Sequence, residues 1–96
     1  MERLVERKVR GGKLFRLRVT FLEGKAKHVD LTGDFFLEPE CGIEILEKAL
    51  LEAYLSPDEG TAKWIINEAA RDLTITGFGS DDLVGALREA GGCGGG

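Results

Sequence analysis

Between Phe15 and Leu31 the apolar residues alternate with polar ones, and from Ile43 onward they recur at three- and four-residue spacing. That change of period fixes the order of the chain: strands first, helices after. Phe15, Leu17, Val19 and Phe21 share one face, with Arg16, Arg18 and Thr20 on the other, as in a half-buried strand. After the turn signal Glu23-Gly24-Lys25 the alternation resumes with Val29 and Leu31 inward, which predicts an antiparallel hairpin. Residues around Leu4 to Val9 can add an edge strand.

Past Phe36 the helical period takes over. Pro39 suits a first helical position, where its missing N–H is not needed, and Ile43, Leu46, Ala49, Leu50 and Ala53 form an amphipathic stripe ending near Tyr54. Ser56-Pro57 repeats the start signal for a second helix, with Ala62, Ile65, Ile66, Ala69 and Ala70 inward and Trp64 at the margin. Leu73 to Thr76 is β-prone, Gly77-Phe78-Gly79 interrupts the chain, and Ser80 is the expected cap of a last helix through Ala90. The expectation is an α+β fold: a small antiparallel sheet, hairpin plus edge strand, packed by about three helices. Residues 1–90 form one domain, and the glycine-rich residues 91–96 a flexible tail.

A chain of 96 residues supports one core, and 43% hydrophobic with 31% charged residues is ordinary globular composition. No apolar run approaches the roughly 18 residues of a membrane span, and the first residues lack the apolar core of a signal peptide, so a cytoplasmic location is expected. Cys41 and Cys93 stand far apart without metal-ligand spacing. Charge is polarised. Residues 1–28 carry nine Lys/Arg against three Asp/Glu, the remainder four against fourteen, giving the net −4. A basic hairpin can meet an acidic partner or a phosphate, but Lys and Arg on strands also keep sheet edges from pairing. Nucleic-acid binding is disfavoured, because the basic stretch lacks interleaved solvent-facing aromatics and the whole chain is acidic.

Two short pieces carry possible chemistry. In Lys8-Val9-Arg10-Gly11-Gly12-Lys13-Leu14, glycines flanked by cations offer backbone N–H groups and point charges to a phosphate. This is not a P-loop, since Gly12-Lys13 runs into a strand and no Ser/Thr follows the lysine; a bulge or turn before the hairpin is the alternative. In Leu31-Thr32-Gly33-Asp34-Phe35-Phe36-Leu37, glycine permits a positive φ and the Asp34 carboxylate can bond local N–H groups. Phe35 and Phe36 should point to opposite sides, which makes one of them available to a partner. His28 has no second histidine or cysteine nearby and reads as a surface residue. Glu40, Glu44, Glu47 and Glu52 read as a solvated helix face, and Cys41 falls in the first turn expected for that helix.

These pieces and their spacing resemble the small C-terminal domain of lipoate-protein ligases, and the free-standing accessory protein that replaces it in some archaea. There the pattern runs roughly Lys-x-Pro-Gly-Gly-Lys-Leu, a hairpin, then Thr-Gly-Asp-Phe-Phe and a helix. This chain departs from it at Arg10, where the family usually has proline. The resemblance spans Lys8 to about Ala90. It implies a compact fold similar to iron–sulfur scaffold and sulfur-acceptor proteins. It also implies an accessory role: a separate catalytic chain activates lipoate with ATP to lipoyl-AMP and acylates a lysine of a lipoyl-carrier domain. On that reading this chain binds no cofactor alone, lipoate and ATP enter through the complex, and Lys8, Gly11, Gly12, Lys13, Asp34, Phe35 and Phe36 are the partner- or phosphate-side contacts. The alternative is a sulfur carrier or iron–sulfur scaffold, suggested by the fold similarity and the Gly-Gly end near Cys93. A β-grasp carrier does not suit the helical second half, and two distant cysteines are few for a scaffold.

Overall fold

A computed structural model describes residues 1–9 and 13–90. Three antiparallel strands, β1 (Glu2–Lys8), β2 (Leu14–Leu22) and β3 (Lys25–Gly33), form a sheet with β2 in the centre. The strand β4 (Phe36–Glu38) follows, then helices α1 (Gly42–Leu55) and α2 (Glu59–Ala70), strand β5 (Thr74–Thr76) and helix α3 (Ser80–Ala90). This is the α+β arrangement that the change of period predicts. Its second sheet, in which β4 pairs antiparallel with β5, was not expected.

The sheet is covered on one face. Alternation puts Phe15, Leu17 and Val19 of β2 inward, each at most 1% exposed, against Leu46 and Leu50 of α1 and Leu83 of α3. Burial of a side chain of this size contributes about 1.5–3 kcal/mol, so this row alone is a large share of what holds so small a domain together. α1 lies against β3, α3 against β1 and β2, and α2 packs on both helices. Phe78 completes the end of the core, with its ring centroid 5.0 Å from Phe15 and 4.9 Å from Phe35.

The β2–β3 turn is as tight as its sequence suggests. Glu23 and Gly24 both have positive φ, 54° and 79°, the handedness that matches the twist of a two-residue hairpin. A bulge beyond Thr20 pairs Thr20 with His28 but Phe21 with Ala26. One extra residue, Lys27, therefore lets both Ala26 and Val29 face the core.

Helix starts differ from the sequence expectation. Pro39 is not the first helical residue: it precedes a single turn in which Gly42 N–H donates to Pro39 O (2.8 Å), and α1 begins at Gly42. A Cβ there would lie 2.4 Å from a Leu73 methyl and 3.0 Å from a Leu37 methyl, so any larger residue would have to displace the ends of those two side chains. Ser56 closes α1 instead of opening α2, with its Oγ donating to Ala53 O (2.6 Å). The α2 cap is Asp58, whose Oδ1 accepts from Thr61 N–H (2.7 Å). Ser80 is already helical, and the Asp82 carboxylate accepts from Gly79 N–H (2.9 Å). Residues 91–96, expected as a flexible tail, lie outside the described residues, as does Cys93.

Candidate functional site

Strand register gathers the sequence candidates at one end of the three-stranded sheet. Lys8 sits opposite Leu14 across β1 and β2, and Val9 N–H donates to Lys13 O (2.8 Å) just beyond them. From the other side Gly33 pairs with Phe15, and Asp34 N–H donates to Leu14 O (2.7 Å). Lys8, Lys13 and Asp34 thus surround Leu14 although they come from two separate stretches of chain. All three are exposed. Gly11 and Gly12, between the two lysines, lie outside the described residues.

Gly33 makes the gathering possible. Its φ is 141°, and a Cβ at this position would stand 2.3 Å from Leu14 O and 2.6 Å from Phe15 Cα. Glycine is needed both for the backbone angle and for the approach of β3 to β2.

Immediately afterward the two aromatics part. Phe35 turns in and packs edge-on against Phe78, while Phe36, on β4, is 73% exposed. Other large apolar side chains stand in solvent as well, Trp64 of α2 at 63% and Ile45 of α1 at 51%. The Asp34 carboxylate makes no hydrogen bond to a described N–H; the turn is held by its backbone instead.

Charge on the open face of the sheet is largely paired within it. Arg16 of β2 bonds Glu6 of β1, and Arg18 Nε donates to Asp30 Oδ2 of β3 (3.3 Å). Arg16 is held above its ordinary pKa, first by the hydrogen bond to Glu6, then by that carboxylate's charge, with a smaller contribution from Asp34. Lys8 and Lys13 pair with no described carboxylate. Among the described residues, the charge this end can offer a partner is therefore chiefly theirs.

Two features were not read from the sequence. Glu47, expected on a solvated face, turns to the sheet, and its Oε2 accepts the outward N–H of Leu31 on edge strand β3 (2.8 Å). His28 Nε2 is 2.9 Å from Asp30 Oδ1 beside it. A strand N–H at a sheet edge needs an acceptor, and a long carboxylate on the covering helix can reach one, but periodicity does not say which glutamate will. Cys41 is exposed and sits one residue before α1 without capping it through its side chain.

No protein-family model matches the chain, and no curated protein matches it significantly. Among solved structures it is similar to a chain from an archaeal lipoylation system of Thermoplasma acidophilum, described as a bipartite lipoate protein ligase and its E2 lipoyl domain. The identity is 23%, the TM-score 0.64, and the likeness covers 92% of this chain and 98% of that one. The two share a fold from end to end, at about the same length. No helix is long and apolar enough to cross a membrane among the described residues.

Proposed function

We propose that this chain is the accessory subunit of a two-chain lipoate-protein ligase. It docks on a separate catalytic chain and supports ATP-dependent formation of lipoyl-AMP. The observation that carries the reading is the fold shared along nearly the whole length of a similarly sized chain from a bipartite ligase system. It is supported by the sequence resemblance through Gly12-Lys13 and Gly33-Asp34-Phe35-Phe36.

The end of the sheet around Leu14 is the docking surface. Phe36 supplies exposed apolar area, and Lys8 and Lys13, paired with no described carboxylate, supply positive charge toward the phosphate side of the partner's site. Gly11 and Gly12, outside the described residues, are assigned to the contact by the sequence resemblance alone. A stable interface buries roughly 800 Å² per partner, more than these side chains alone present, so neighbouring exposed groups join it. Lipoate and ATP are bound by the complex, and a lipoyl-carrier domain is its substrate. All three proteins work in the cytoplasm.

The test is reconstitution. Lipoyl-AMP formation and transfer to a carrier domain are measured with a catalytic ligase chain alone, this chain alone, and both together. Activity only in the mixture, with a complex on gel filtration, is the expected result. Full activity of the catalytic chain alone and no complex would remove the proposal.

A further inference from the structure

The His28–Asp30–Glu47 group lies away from the proposed docking surface, at the edge where α1 meets β3. One ligand-type atom from each side chain falls within 4.8 Å of the other two. We infer that these three residues form a binding site for a divalent first-row transition metal ion, with zinc as the representative case.

Three observations carry this. His28 Nε2 and Asp30 Oδ1 are 2.9 Å apart. Two ligands each about 2.1 Å from one tetrahedral ion stand about 3.4 Å apart, so this pair needs to open by only about 0.5 Å to chelate one. Next, each carboxylate is tied by one oxygen and leaves the other for an ion. Asp30 Oδ2 accepts from Arg18, and Glu47 Oε2 accepts from Leu31 N–H, which leaves Asp30 Oδ1 toward His28 and Glu47 Oε1 without a backbone partner. Donors that hold ligands from behind in this way set their orientation and typically change metal affinity tenfold or more. Finally, one imidazole and two carboxylates give a mixed nitrogen and oxygen set suited to zinc and its neighbours rather than to calcium or magnesium.

The charges also suit a dication, since Arg18 pairs with Asp30 and no described cation pairs with Glu47. Closing the site requires Glu47, on a partly buried side chain, to approach by up to about 1.4 Å, from at most 4.8 Å to the roughly 3.4 Å between tetrahedral ligands. Bound metal would bridge the edge strand and the covering helix, a role separate from docking: Asp30 pairs with Arg18, three residues along β2 from Phe15, about 10 Å from the docking end.

The experiment uses the full chain with Cys41→Ser and Cys93→Ser, so that thiols do not compete. Zinc is titrated by calorimetry, and amide and imidazole resonances are followed by NMR. Expected are one ion per chain, shifts centred on His28, Asp30, Leu31 and Glu47, and at least tenfold weaker binding in His28→Gln and in Asp30→Asn. Cobalt should give a d–d spectrum that zinc displaces. Absence of binding, binding undiminished in folded His28→Gln, or shifts centred elsewhere would each overturn the inference. The NMR shifts decide the matter on the His28 protein even if a variant fails to fold.

Discussion

Replacing Gly33 by alanine is the most demanding test of how the sheet is assembled. The added Cβ would sit 2.3 Å from Leu14 O and 2.6 Å from Phe15 Cα, where carbon contacts normally begin near about 3.5 Å. Both obstacles are backbone atoms of the central strand, so no rotamer change relieves them. Overpacking of this kind costs about 1–3 kcal/mol, and a side chain held at φ 141° costs a further 1–3 kcal/mol or so. The total, about 2–6 kcal/mol, is a large part of the roughly 5–15 kcal/mol available to a domain. At about 4–8 °C per kcal/mol, the thermal unfolding midpoint followed by circular dichroism should fall by at least about 8 °C. Gly24→Ala is the internal control. Its φ is also positive, 79°, but no atom lies within 4 Å of the added Cβ, so only the backbone cost of about 1–2 kcal/mol applies. If Gly33→Ala unfolds no earlier than Gly24→Ala, the claimed close approach of β3 to β2 is wrong.

Glu23 holds a positive φ of 54° that asparagine adopts more readily, so Glu23→Asn should stabilise the hairpin by about 0.5–1 kcal/mol, measured by urea denaturation. Hydrogen bonding from Thr61 holds the Asp58 carboxyl below its ordinary pKa; its contribution is therefore present above the unfolded value and lost as pH falls through the lowered folded one. Acid titration of helicity should show a smaller loss over that range in Asp58→Asn than in the unaltered chain, and equal losses would refute the cap. Lys13→Ala should change stability by less than about 0.5 kcal/mol while weakening association with a catalytic ligase chain, as read by gel filtration and the lipoyl-AMP assay. Phe36→Ser should likewise spare folding, and an undiminished complex would move the docking surface elsewhere.

The sequence discloses some of these features better than others. The pairing of β2 with β3 could be read because alternation and a two-residue turn are local signals. The pairing of β4 with β5 could not: each strand has three residues, and the partner of Phe36 is Thr76, far along the chain. Ser56 and Asp58 are both good capping residues two positions apart, and only the path of the chain decides that the first closes α1 and the second opens α2. At the candidate site, the two motifs announce Lys8, Lys13 and Asp34 separately. Their meeting around Leu14 follows from register, which single-strand patterns do not fix. Glu47 was invisible as a sheet-binding residue because a glutamate on a polar helix face has the same sequence signal whether it points to water or to a strand edge.

The packing of α3 against β1 has a consequence for synthesis. β1 leaves the ribosome before, and α3 after, every other described element, yet α3 covers β1. The β2–β3 hairpin and the α1–α2 pair can form while translation continues, since their contacts are close in sequence. Val5, and the part of the β2 row that faces Leu83, Val84 and Leu87, must wait for the closing helix. Until then a nascent chain presents an apolar strip beside an unprotected strand, the kind of surface on which chaperones act. A stop codon before Ser80 should therefore yield an aggregating product, not a slightly shorter domain.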